Sequence, residues 1–131
     1  MNDTELLELM KRFRQAYARA DGDALRDVVA EDFVWHQHVA TTTDDRPTGR
    51  VLRGVDALLE EIAWRSEHWQ EVNYEGLEER ATADLLVQTF TISGKEDGVR
   101  FHAKAVDLYP VKDGRISMKD TYWKYVQGEM K

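Results

Sequence analysis

The chain has no cysteine, only two prolines, and eight glycines that never gather into a linker, in a length of 131 residues. Without cysteine there is no disulfide scaffold, no thiol nucleophile and no zinc site built on thiolates. Nothing divides the sequence, and its length suits a single domain over residues 1–131. No apolar run approaches the roughly 18 residues of a membrane helix, and the first residues lack the charged, then apolar, then small pattern of a secretory leader. A soluble, cytoplasmic protein with no membrane contact is expected. An excess of basic residues is also missing: 18 Lys and Arg face 25 Asp and Glu, for a net charge of −7. Nucleic-acid binding draws much of its affinity from clustered Lys and Arg, whereas the local spot Lys11-Arg12 with Arg14 is surrounded by acids. No nucleic-acid partner is expected. Glycine-rich phosphate loops, a Ser-His-Asp order and dinucleotide fingerprints are absent too, so neither nucleotide chemistry nor a cofactor is implied.

What is present is a change of period along the chain. Leu6, Leu9, Met10, Phe13, Ala16, Tyr17 and Ala20 recur at helical spacing, with Asp3 or Thr4 as N-cap and Gly22 as stop. A short second helix starts at Asp23. Residues 33–39 form an aromatic and branched strand, the polar stretch 41–49 with Pro47 forms a loop, and Gly54 precedes a third helix carrying Val55, Leu58, Leu59 and Ile62. Glu60-Glu61 on that helix is expected to face solvent. After Trp69 the period falls to two, with strands over about 70–79, 84–93, 99–111 and 115–126, joined through 94–98 and through Asp113-Gly114. Three helices around one strand, followed by an antiparallel meander, make an α+β pattern.

The last hairpin carries the most chemistry. If Lys112 faces Arg115 across the two-residue turn, Asp107 lies opposite Asp120, Ala105 opposite Tyr122 and Tyr109 opposite Met118. Phe101, Ala103, Ala105, Asp107 and Tyr109 would then share a face with Met118, Asp120 and Tyr122. Like charges facing each other are unfavourable, and burial raises carboxyl pKa values further. Such a pair can share a proton, one member serving as donor and the other as base. Two alternatives remain open. The opposite face, with Val106, Leu108, Pro110, Thr121 and Trp123, is also apolar enough to be buried, and a one-residue bulge at Gly114 would separate the aspartates. Lys104 and Lys119 alternate to the other face, so no strong ion pair with the aspartates is expected.

The segments at 13–23 (FRQAYARADGD), 30–36 (AEDFVWH), 49–59 (GRVLRGVDALL) and 106–120 (VDLYPVKDGRISMKD) resemble the nuclear transport factor 2-like superfamily, which includes ketosteroid isomerases, SnoaL-like polyketide cyclases and limonene epoxide hydrolase. The resemblance covers nearly the whole chain. It implies a cone: a curved antiparallel sheet wrapped around three N-terminal helices, with an apolar pocket between them. Asp107 is similar to the isomerases' neutral aspartic acid donor, and Asp120 to the hydrolase's water-activating aspartate. Two departures stand out. Gln15 lies where the isomerases have a tyrosine donor, with Tyr17 two residues on, and Gln37 lies where they have their general base.

His36 and His38 form a His-x-His on a strand, which can supply two metal ligands with a third from His68, His102 or an aspartate. An imidazole acting as base, or a structural role, is preferred, and no metal is expected. By alternation, either Trp35 and Gln37 or the two histidines line the pocket. The expected enzyme is cofactor-independent and performs proton transfer (isomerisation, cyclisation or hydration) on a small apolar carbonyl or polycyclic compound. Asp107, Asp120, His36 and His38 would be catalytic, and Tyr17, Trp35, Trp64, Phe101, Tyr109, Met118 and Tyr122 would shape the pocket. A homodimer is expected through an outer sheet face carrying Val106, Leu108, Trp123 and Tyr125. The alternative is a non-catalytic module that binds a small molecule or a partner on the same fold.

Overall fold

The computed structural model describes residues 1–39 and 46–126, and most of the expected loop at 41–49 lies outside them. Helix α1 (Asp3–Arg19) is capped one residue earlier than expected. The Asn2 side chain accepts from the Glu5 N–H at 2.8 Å, and the Glu5 carboxylate accepts from the Asn2 N–H at 2.9 Å. The helix stops at Ala20, which takes the left-handed conformation itself (φ 51°), and Gly22 instead opens α2 (Gly22–Val28) under an Asp21 cap. Strand β1 (Val29–His38) begins four residues ahead of the expected position. Strand β2 (Arg50–Arg53) was not foreseen in its polar surroundings and exists through antiparallel pairing with β1. Gly49 precedes it at φ +64°, and a Cβ there would lie 2.3 Å from the Gln37 carbonyl oxygen, so only glycine lets the two strands close up.

Helix α3 (Gly54–His68) leads into β3 (Trp69–Thr82), β4 (Leu85–Glu96), β5 (Val99–Lys112) and β6 (Arg115–Tyr125). Two of the hairpins turn on Asp97-Gly98 and Asp113-Gly114, all four residues at positive φ, as tight two-residue turns require. The connection expected over 94–98 thus shrinks to two residues, and Gly94 stays inside β4. The six strands form one sheet in the order β2-β1-β6-β5-β4-β3. The meander is antiparallel as expected, but β1 joins it parallel to β6, with His36 beside Asp120 and His38 beside Tyr122. Edge strand β3 is largely exposed, and its pairing with β4 shifts near Glu71 and again near Gly76, both at positive φ. Such bulges bend a sheet and blunt its edge. The α+β cone expected from the sequence is the fold observed.

The core lies between the helices and the concave face of the sheet. Leu6, Met10 and Phe13 of α1, Leu25 of α2 and Leu58 of α3 pack with Phe33, Trp35, Leu86, Tyr109 and Ile116. Burying each such side chain fully is worth about 1.5–3 kcal/mol. No helix among the described residues is long and apolar enough to cross a membrane.

One irregularity decides what each face of the sheet carries. Lys112 faces Arg115 and Val111 faces Ile116 as expected, but beyond them Leu108 faces Asp120 and Asp107 faces Thr121. Between these pairs β6 holds three residues, Ser117, Met118 and Lys119, against two on β5. The cause is Pro110. The Val111 N–H points away from β6, to the Asp84 carbonyl at 2.8 Å, so alternation aims the Pro110 nitrogen at β6 with no hydrogen to donate. The ladder can skip there without losing a donor, and the Ser117 hydroxyl donates to the Pro110 carbonyl at 3.0 Å. Burial follows the skip: Ile116 is inward, and then Lys119 and Thr121. Asp107 and Asp120 therefore do not face each other. Asp107 is buried and Asp120 is on the convex face, with the bulge opposite Pro110 rather than at Gly114. The same skip corrects the outer face. Val106 and Leu108 point outward, whereas Trp123 lines an interior cavity and the Tyr125 hydroxyl donates to the Val39 carbonyl at 2.8 Å.

Candidate functional site

A cavity of about 540 Å³ lies inside the cone, between α1, α3 and the concave face of the sheet. Phe13 and Tyr17 of α1 and Trp35 of β1 form one wall, and the exposed Tyr74 and Leu77 of β3 stand at its rim. Two strands deliver its polar group. Asp107 and Tyr109 are inward residues of β5, and Lys119 and Thr121 are brought inward on β6 by the skip.

The Lys119 ammonium donates to Asp107 Oδ2 at 3.0 Å and to the Tyr109 hydroxyl at 2.8 Å. It also sits 5.0–5.9 Å from the ring centres of Phe13, Tyr17, Trp35 and Tyr109, within reach of cation–π attraction. The other Asp107 oxygen accepts a hydrogen bond from Thr121, whose hydroxyl accepts from the Trp35 indole N–H at 2.8 Å. The Tyr109 hydroxyl is shared further with Gln88 at 3.1 Å, and Gln88 donates to Glu79 at 2.9 Å. Burial pulls the Lys119 ammonium below its ordinary value, against the opposing pull of Asp107. Burial, together with the charge of Asp107, holds the Tyr109 phenol well above the usual value. Tyr17 is raised as well, chiefly by burial. Both phenols are therefore neutral.

A second polar network stands behind this one. Arg65 of α3 donates to Glu61 at 3.1 Å and to the Tyr17 hydroxyl at 3.4 Å. Its guanidinium lies 4.3 Å from the Trp69 ring centre and 4.9 Å from that of Trp35. Glu61 also accepts from Arg50 at 2.9 Å and from Gln37 at 3.2 Å. Burial alone would raise the Glu61 carboxyl, but the bonds from Arg50 and Gln37 and the charge of Arg65 outweigh it, and the pKa lies below the ordinary 4.5. Glu61 is thus buried and triply bonded rather than on a solvated face. Arg65 and Trp123 also border a second cavity, of about 400 Å³, with Gln37, His38, Arg50 and Trp64.

The model of the SnoaL-like domain matches residues 10–118. The chain belongs to the SnoaL-like family. Among solved structures, this SnoaL-like chain is similar to a nuclear transport factor 2-like protein of Burkholderia xenovorans. The TM-score is 0.80 at 23% identity, covering 95% of this chain and 92% of that one. A protein of Mesorhizobium loti, provisionally named a SnoaL-like polyketide cyclase, aligns at a TM-score of 0.61 and 20% identity over 89% and 97% of the two chains. A Catenulispora acidiphila protein with a ketosteroid isomerase-like fold, solved with trimethylamine, aligns at 0.65 and 14% identity over 89% and 85%. No curated protein matches the chain.

The residues singled out in the sequence fall into separate places. Asp107, Tyr17, Trp35 and Tyr109 line the cone cavity. Trp64 lies at the second cavity, stacked on His68 with ring centres 4.3 Å apart. Phe101 packs behind Trp123 at 5.9 Å and lines neither. Asp120, Tyr122, His36 and His38 stand on the convex face, and Met118 lines an outer groove. Of the family positions, Gln15 is exposed while Tyr17 reaches the cavity, and Gln37 is buried and bonded to Glu61 and Arg50. Lys119, expected on the face away from the aspartates and without an ion pair to them, instead lies 3.0 Å from Asp107, and Thr121, Gln88, Arg65 and Glu61 join the polar networks without having been assigned there. The signal for Lys119 and Thr121 was Pro110 in a strand, a residue that marks bulges.

Two stability effects follow. Lys119→Met leaves the Asp107 carboxylate buried without its cation and is expected to cost about 3–5 kcal/mol in urea unfolding, whereas Lys119→Met with Asp107→Asn restores most of that loss. Losses of Lys119→Met and Asp107→Asn that simply add in the double variant would show that the pair is not coupled. Because the folded pKa of Glu61 is below 4.5, its contribution is present above that pH and lost as pH falls through the folded value. Glu61→Gln is expected to cost about 1–3 kcal/mol at neutral pH, and the difference from the unaltered protein should shrink as unfolding is followed from about pH 6 to about pH 3.

Proposed function

We propose that the protein is a cofactor-independent enzyme catalysing proton transfer on a small, largely apolar carbonyl compound held in the cone cavity. The observation that carries this reading is the Lys119 ammonium, desolvated and paired with Asp107 on the wall of a cavity lined mostly by aromatic and aliphatic side chains. Burying an ion pair is costly, and well-packed apolar residues of the same volume often do as well or better for stability. In this reading the Lys119 N–H bonds stabilise negative charge developing on the substrate oxygen. The lowered pKa brings Lys119 closer to the range in which it can pass a proton to the substrate oxygen and, as the neutral amine, take one from the adjacent carbon, and Asp107 orients it. The Tyr17 hydroxyl accepts from Arg65, so its own hydrogen is free to act as a second donor. Isomerisation, aldol-type cyclisation and hydration all pass through such an oxyanion. His36, His38 and Asp120 take no part in this reading, because none of them lines the cone cavity and His38 borders only the second one.

A binding module is the second reading, favoured by Gln37, a neutral amide where the isomerases carry their base, and by the relative solved with a small amine. Beyond the cavity, Leu85, Val87, Val106 and Leu108 form an apolar strip on the convex face of β4 and β5. We propose that a second copy of the chain covers it, in the cytoplasm of its cell.

Enolisable ketones incubated with the protein in heavy water are expected to exchange their α-hydrogens, followed by NMR, and the Lys119→Met/Asp107→Asn double variant should lose at least about 10²-fold. Saturable ketone binding without exchange would overturn catalysis in favour of the module. Sedimentation equilibrium should report a dimer that Val106→Asp with Leu108→Asp converts to monomer. A monomer at all concentrations would remove the second copy.

A further inference from the structure

The convex face carries a cluster that the cavity chemistry does not use. On β1, His36 and His38 point outward two residues apart, and Asp120 joins them from the parallel neighbour β6, directly beside His36. One potential ligand atom from each residue lies within 4.8 Å of the others. His38 Nε2 is 3.2 Å from Asp120 Oδ1, close to the edge of about 3.4 Å between two donors on a tetrahedral zinc ion. That oxygen is nevertheless shielded from solvent with no hydrogen-bond partner, the one such side-chain atom among the described residues. The approach from His38 is near in distance but wrong in direction for a hydrogen bond. A buried carboxylate oxygen left unsatisfied costs free energy, and a cation between it and the imidazoles would satisfy it.

The surroundings fix the ligands. The His38 ring stacks on Tyr122 with ring centres 4.2 Å apart and planes 2° from parallel. The Tyr122 hydroxyl donates to Asp120 Oδ2 at 3.1 Å, engaging that oxygen and leaving Oδ1 turned toward the imidazoles. Gly49 packs on the other side of His38, near Nδ1, so Nε2 is the nitrogen presented to Asp120. Outer contacts of this kind commonly orient metal ligands.

We propose that His36, His38 and Asp120 bind one divalent first-row transition ion of the zinc type. Two imidazoles and a carboxylate are borderline donors suited to such ions rather than to calcium or magnesium. Three protein ligands on one side leave the remaining positions open to solvent or to a fourth donor. The sequence supplied two of these ligands by spacing and left the third undecided among several residues. The β6 skip supplies it by turning Asp120 outward. The proposal is independent of the cavity, which lies on the other side of the sheet.

Chelator-treated full-length protein titrated with zinc chloride in a calorimeter is expected to take up one ion per chain, and cobalt chloride should give visible d–d absorption from a low-symmetry site. Asp120→Asn, which preserves shape, and His36→Ala should each weaken zinc binding by at least about tenfold. His68→Ala is the control, because His68 has its own acidic neighbour, Asp97, at 2.8 Å, and it should leave binding unchanged, as should His102→Ala. Circular dichroism melts establish that each variant is folded, and Asp120→Asn carries the test if a histidine variant is not. No saturable zinc uptake, or uptake unchanged in folded Asp120→Asn, would overturn the site. Uptake abolished by His68→Ala or His102→Ala would place the ion elsewhere and overturn it equally.

Discussion

A missing hydrogen sets the chemistry of both faces of the sheet. Pro110 turns a nitrogen without a proton toward β6, and the neighbouring strand takes up one extra residue there. Because side chains alternate with a period of two, one residue of slip exchanges the faces of everything beyond it. Lys119 and Thr121 turn inward and meet Asp107. Asp120 and Tyr122 turn outward and meet His36 and His38. Without the skip, two aspartates would face each other inside the cone, and the lysine would stand in solvent. The polar group of the cavity and the histidine–aspartate cluster on the convex face are consequences of the same local event.

The interior that results is electrostatically unusual for so small a domain. Two cations, Lys119 and Arg65, and two carboxylates, Asp107 and Glu61, sit among aromatic rings, each bonded to an opposite charge. The pairs are linked through Tyr17, which contacts Arg65 through its hydroxyl and Lys119 through its ring. Such a network holds together only if every member is satisfied, and here the remaining bonds come from Thr121, Tyr109, Gln37 and Arg50. The arrangement also differs from that of the ketosteroid isomerases the sequence resembles. Where the resemblance implies a tyrosine donor, Tyr17 stands two residues further along α1, and at the implied base position Gln37 is tied into the second network. Membership of the SnoaL-like family accounts for the cone. The charges within it come from Lys119 and Asp107 on the last two strands and from Glu61 and Arg65 on α3.

Much of the fold was legible because it is written in period and punctuation. Leu6, Leu9, Met10 and Phe13 mark the buried face of α1. Alternation from Ala103 to Val111 marks the inward face of β5, and Asp113-Gly114 marks the last turn. Strand β2 escaped because Arg50–Arg53 has no strand pattern of its own and is a strand only by pairing with β1. The parallel union of β1 and β6 escaped because nothing local records which edge of a meander a distant strand will join. Glu61 escaped because its partners Arg50, Arg65 and Gln37 come from three different elements, and without them a glutamate beside another glutamate on a helix reads as solvated.

The site divides along the same line. The residue types were determined by the sequence: carboxylates and aromatics on the last two long strands, a His-x-His on the first, and a tyrosine on the core side of α1. Which of them meet was decided only in the tertiary structure. Alternation settles a face while the register is unbroken, so Asp107, Tyr109, Trp35 and Gln37 could be assigned relative to their own strands. Across the hairpin the assignment depends on the count of residues between paired positions, and a single extra residue reverses it. That count is settled by backbone hydrogen bonds between strands, at a proline whose effect on its neighbour appears only once the two are paired.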